Sequence, residues 1–214
     1  AIFSDYDNDG WIDLVLAGEW MPIVMMHNDK GRFNNQTNKS GIQTRTGLWT
    51  SLAAGDFDND GDIDYVAGNL GLNSFYRVRD SLPVRIYAKD FDDNGSFDAI
   101  PSVYLKDAQT EGSHWLEFPV HGRDDMIKQM LVTRRRFQNY QTYAKATMDS
   151  IIPALQRKGA IILEANTLQS SFIRNDGNGK FSLVPLPLQA QVSALNGMIT
   201  DDFDGDGNLD LAVR

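Results

Sequence analysis

Carboxylates stand at alternate positions of four short loops in this chain, a spacing that suits a hard divalent cation. The loops are 5–13 (DYDNDGWID), 56–64 (DFDNDGDID), 90–98 (DFDDNGSFD) and 202–210 (DFDGDGNLD). Counted from the first Asp, positions 1, 3 and 9 are always Asp, position 5 is Asp or Asn, and position 6 is always Gly. Ca²⁺ takes about six to eight oxygens, and glycine permits the sharp turn that brings carboxylates from one short loop together. The expected side-chain ligands are Asp5, Asp7, Asp9 and Asp13; Asp56, Asp58, Asp60 and Asp64; Asp90, Asp92, Asn94 and Asp98; and Asp202, Asp204, Asp206 and Asp210. Position 7, occupied by Trp11, Asp62, Ser96 and Asn208, is expected to offer its backbone carbonyl. Up to four Ca²⁺ ions are therefore expected. Asn94 lowers the ligand charge of the third loop, which should bind most weakly.

An EF-hand loop begins with the same alternation but closes on a Glu at position 12 between two helices. Here position 12 is Leu16, Ala67, Pro101 or Val213. The flanks, such as Leu52–Gly55, Ile63–Ala67 and Val84–Ala88, are short runs rich in apolar and β-branched residues, which read as strands. Each loop is thus expected to be the turn of a β-hairpin. A second recurring element, HNDKGRF at 27–33 and RNDGNGKF at 174–181, places Asn, Asp and Gly where hairpin turns need positive φ. It is read as turn chemistry with no ligand of its own.

An acidic hairpin, a strand and then an N-x-G-x-G-x-F turn resemble the FG-GAP/VCBS repeat, the blade unit of calcium-binding β-propellers. The integrin α-subunit propeller is a distant relative. The stretches 18–22 (GEWMP), 68–73 (GNLGLN) and 186–191 (LPLQAQ) resemble secreted bacterial VCBS-repeat proteins of the type that accompanies an ASPIC/UnbV domain. The resemblance implies an all-β chain with a helical insertion. Its four-stranded antiparallel repeats would be blades of a partial propeller of about three to four blades.

Loop starts 51, 34 and 112 residues apart fit one blade, a shortened blade and a blade enlarged by an insertion. The 214 residues are read as a single repeat region, a fragment of a longer protein, with a helical insertion at 123–158. Within the insertion Met126, Ile127, Met130, Leu131, Phe137, Tyr140, Tyr143 and Ala144 recur every three to four residues, as an amphipathic helix requires. Pro153 is expected in the first turn of a second helix that Gly159 ends. Arg134–Arg136 is read as a solvated helix face.

The formal charge of −9 is mostly ligand charge, since the four loops hold 17 of the 29 acidic residues. Nothing supports nucleic-acid binding, there is no cysteine, and no apolar run is long enough to span a membrane. Enzyme signatures are equally absent: His27, His114 and His121 share no metal-binding spacing, and neither a nucleophile elbow nor a phosphate loop occurs. Glu19, Glu111, Glu117 and Glu164 are the glutamates available to a glycosidase. Trp20, Trp49, Trp115, Phe118 and Tyr104 could form a sugar platform but are read as packing between blades.

The resulting expectation is a non-enzymatic calcium-binding scaffold for adhesion to, or binding of, an extracellular protein or polysaccharide. The alternative is a calcium-dependent polysaccharide lyase or hydrolase. Calcium loops of extracellular type place the chain outside the cell, in a periplasm or at a cell surface, with self-association through exposed blade edges open to it.

Overall fold

Runs of alternating apolar and polar residues, interrupted by acidic and glycine-rich turns, make a mostly antiparallel β molecule with one helical stretch. The computed structural model describes residues 1–107 and 114–214. They form two compact units, Ala1–Phe75 with Ala165–Arg214, and Tyr76–Glu164. Among the described residues no helix is long and apolar enough to cross a membrane.

The first unit holds two four-stranded sheets built on one plan. In the first, Ile2–Ser4, Asp13–Leu16, Val24–Asp29 and Arg32–Asn35 lie side by side in chain order. In the second, the order is Ser51–Gly55, Asp64–Gly68, Ser171–Asn175 and Phe181–Pro185. Each sheet begins with an acidic-loop hairpin and ends with an Asn-Asp-Gly hairpin. A further hairpin, Met198–Asp201 with Asp210–Val213, carries the fourth acidic loop. The first strands of the first sheet and of this last hairpin both lie against Ser51–Gly55.

The second sheet is interrupted in sequence. The chain leaves it at Gly68 and returns at Ser171, so the whole second unit is inserted between two neighbouring strands. The loop spacing predicts an even series with one shortened and one enlarged step, and the chain does not follow it. The third loop belongs instead to an inserted sheet of different order: Trp115–Pro119, Asp98–Lys106, Val84–Lys89, Ile161–Ala165. Its acidic hairpin is central, whereas in the other two sheets it lies at one edge.

The helical stretch is broken into Arg123–Gln129, Val132–Arg136, Tyr140–Tyr143, Met148–Ile151 and Ala154–Arg157. Met130 and Phe137 leave the helical region of backbone space, and Asn139 caps the third segment by accepting from the Thr142 N–H. Capping by Asn139 competes with helix continuation, and Met130, Phe137 and Ile152 end their segments in non-helical backbone, so the periodic pattern yields turns of helix and not one rod. The period still selects the core: Met126, Met130, Phe137 and Tyr143 are buried with Met148, Ile151 and Ile152 against Tyr87 and Ile100. Leu131 and Tyr140, equally in phase, face solvent. Pro153 precedes the last segment, and Gly159 leaves it at φ +79°.

The core of the first unit gathers Tyr6, Val15, Ile23, Met25, Ile42, Trp49, Tyr65, Ala67, Ile173 and Phe181. Asn69, fully buried, ties its loops together. Its carboxamide accepts from Leu48 N–H and Leu70 N–H and donates to the Thr167 carbonyl. Gln191 does the same beside it, exchanging hydrogen bonds with both backbone groups of Ser170.

Candidate metal centre

Each acidic loop spans one hairpin turn. The strands close on the pairs Ser4↔Asp13, Gly55↔Asp64, Lys89↔Asp98 and Asp201↔Asp210, so position 9 is always the first residue of the returning strand. The hairpin setting differs from the helix-flanked EF-hand at every loop.

One hydrogen-bond skeleton recurs four times. The position-1 carboxylate accepts from the N–H groups of positions 5 and 6: Asp9 and Gly10 donate to Asp5, Asp60 and Gly61 to Asp56, Asn94 and Gly95 to Asp90, and Asp206 and Gly207 to Asp202, all at 2.8–3.1 Å. The position-5 side chain accepts from the N–H of position 7 at 2.8–2.9 Å. The position-9 carboxylate accepts from the N–H of position 2, the aromatic Tyr6, Phe57, Phe91 or Phe203. These bonds require left-handed backbone at two places: Gly at position 6 (φ 88–94°), and position 4, where Asn8, Asn59 and Asp93 take φ 57–59°. Asn and Asp tolerate this region best after glycine, a signal the sequence carries at position 4 as plainly as at position 6.

Converging oxygens fall within 4.8 Å of one another in Asp56–Asp58–Asp64, Asp90–Asp92–Asp98, Asp5–Asp7–Asp9 and Asp202–Asp204–Asp206. Asp13 joins the first loop through Asp7 and His27. Asp60 and Asp210 stand outside these groups. At position 7, Trp11 is exposed, while the Asp62 and Asn208 side chains are used between loops: Asn8 Nδ2 donates to Asp62 Oδ1 (2.8 Å) and Asn59 Nδ2 to Asn208 Oδ1 (2.7 Å). Loops one, two and four are thereby linked head to tail.

Electrostatics set the arrangement apart from ordinary surface turns. Asp13, Asp64 and Asp98 are 0–2 % exposed. Burial, then the neighbouring Asp58 and Asp60, holds the Asp64 carboxyl above the usual range; burial with Asp92 and Asp90 does the same for Asp98. Asp7 is raised by burial and by Asp13 and Asp9. Asp92 Oδ1 is buried without a hydrogen-bond partner. A divalent cation answers all of these features, since it favours the charged carboxylates and gives the orphan oxygen a partner. The residues therefore fit a hard cation. When bound, it would supply positive charge to the converging carboxylates of each loop while the hydrogen-bonded skeleton holds them in place.

The Asn-Asp-Gly turns close hairpins, as read from sequence, and also bond the position-9 carboxylates. Asn28 N–H donates to Asp13 Oδ1 (2.7 Å) and its Nδ2 to the Ile12 carbonyl (2.7 Å). Asn175 repeats this on Asp64 Oδ1 (2.7 Å) and the Ile63 carbonyl (3.2 Å). Both are buried. Each latches the position-9 carboxylate from a neighbouring strand, a role that the turn reading of these residues misses. The recurrence of Asn before Asp in both turns was the available signal.

Residues 5–67 match the family model described as FG-GAP-like repeat. The chain carries an FG-GAP-like repeat. The matched FG-GAP-like segment runs from the first Asp of loop one to the strand leaving loop two. No curated protein matches the chain.

Outside the loops several of the other candidates are engaged in packing or hydrogen bonds. Trp49 is buried and donates from Nε1 to the Met21 carbonyl, and Trp115 lies under Arg79 and Lys106. Trp20 sits at a bulge with φ 61°. Glu117 accepts from Tyr87 and Ser102, and Glu164 pairs with Arg85, which also reaches Tyr104. Phe118 is half-buried on the same strand as Glu117; Glu19 is exposed and Glu111 lies outside the described residues. Of the arginine run, Arg134 and Arg135 are solvated, whereas Arg136 donates to the Ser150 and Ile151 carbonyls at a helix end.

Proposed function

We propose that this chain is a calcium-braced segment of a β-propeller of the VCBS type, acting outside the cell as a scaffold that binds a protein or a polysaccharide. One observation carries the reading: the same hydrogen-bonded acidic hairpin occurs four times, and three copies are joined loop to loop. A catalytic centre needs one constellation, whereas a repeated one serves the frame. The shared plan of the first two sheets, with first strands gathered against Ser51–Gly55, is the arrangement expected of consecutive blades. Two glutamates outside the loops, Glu117 and Glu164, are engaged by Tyr87, Ser102 and Arg85, which favours a scaffold over a hydrolase. Calcium-loaded protein on a glycan array, followed by product analysis of any bound polysaccharide, tests this. Binding without turnover supports the scaffold; calcium-dependent chain cleavage replaces it with a lyase or hydrolase.

A further inference from the structure

The first loop differs from the others by an imidazole. His27, on the strand Val24–Asp29, places Nδ1 3.1 Å from Asp7 Oδ2 and 3.3 Å from Asp13 Oδ1. The nitrogen is sealed from solvent yet meets no hydrogen-bond geometry with either oxygen. One ligand atom from each of Asp7, Asp13 and His27 lies within 4.8 Å of the other two, close enough for one cation to reach all three. The two nitrogen–oxygen separations are close to the edge of a tetrahedron of N and O ligands with bonds of about 2.0–2.1 Å, which is roughly 3.3 Å. A cleft of about 410 Å³ lined by Asp7, Asp9, His27, Gln36 and Lys39 gives a cation a way in.

The second sheet supplies an internal comparison. Asn175 is the counterpart of Asn28, each latching a position-9 Asp, so Arg174 stands where His27 does. Arg174 turns its guanidinium to Asp176 (2.8 Å) and has no lone pair to offer a metal. Among the described residues only loop one gains a nitrogen ligand.

We infer that Asp7, Asp13 and His27 form a mixed imidazole–carboxylate site that selects a borderline transition cation such as Zn²⁺ or Co²⁺ over Ca²⁺. Imidazole suits Zn²⁺ and its first-row neighbours, whereas Ca²⁺ prefers an all-oxygen shell. The inference rests on the reading of loop one as a metal loop and specifies which ion it takes.

The test is Co²⁺ titration of calcium-saturated protein, followed by visible absorption, with the calcium-dependent rise in melting temperature read on the same samples. One equivalent of Co²⁺ should bind. His27→Ala and His27→Gln should weaken it at least as much as the ~10–100-fold typical of losing an outer-shell partner. Asp58→Asn in loop two should leave it unchanged. Equal Co²⁺ affinity in both His27 variants, or no Co²⁺ uptake in the presence of calcium, would overturn the inference and leave His27 as a neighbour that packs beside Asp7 and Asp13. Absence of the calcium-dependent rise would instead remove the calcium-brace reading, with the Co²⁺ result still legible.

Discussion

A carboxylate buried at the first residue of a strand costs free energy unless it is neutralised or fully hydrogen-bonded, and Asp13, Asp64 and Asp98 are all of this kind. Backbone N–H groups meet part of that cost, and two of the three receive a further bond from an asparagine on the next strand. Asn175 also donates to the Tyr6 carbonyl (2.8 Å), so it spans two loops. Asn175→Ala should cost about 1–3 kcal/mol, the range for orphaning buried polar partners, while the exposed Asn38→Ala should be neutral in urea unfolding. Tyrosines give a separate check. Burial, then Glu117, pushes Tyr87 up to about 12, and burial with Asp125 does the same for Tyr143. Because the folded value is raised, the stabilisation is full below pH ~10, the ordinary tyrosine value, and is lost as pH climbs through about 12. Absorbance at the tyrosinate band should therefore show these phenols ionising only as the protein unfolds. Ionisation at the ordinary value in folded protein would contradict their burial.

At the scale of elements, the acidic hairpins were legible from residue spacing because every position has a local reason: Asp to accept loop N–H groups, Gly or Asn for positive φ. The order of strands was not. Nothing local at Gly68 or Ser171 says that 102 residues intervene between adjacent strands, since that pairing is long-range and set by packing. The helical stretch was half legible: periodicity found its buried side but not the breaks at Met130, Phe137 and Ile152. Gly68 shows how tightly the split sheet is closed, for a Cβ there would lie 2.2 Å from the Leu195 carbonyl oxygen. Gly68→Ala should destabilise by about 1–3 kcal/mol or more, as overpacking does, while Gly197→Ala, which meets nothing, should not. The loops also differ in anchorage. Tyr6 is buried in one core and Phe91 packs on another, but Phe203 is 56 % exposed. Hydrogen exchange in EDTA should accordingly be fastest at 202–210, and greater protection there than at 5–13 would contradict this ranking.

For the whole molecule the acidic loops carry most of the negative charge, 17 of 29 acidic residues in a chain of net charge −9. Without a cation, clustered carboxylates at every hairpin repel one another, and the repulsion acts on the turns that set strand register. Binding a ligand only to the folded state adds stability by mass action, so the calcium-loaded loops should act together on global unfolding. Thermal unfolding in Ca²⁺ and in excess EDTA measures this directly. The account predicts a large fall in melting temperature on chelation, restored by added Ca²⁺; an unchanged melting temperature would contradict it.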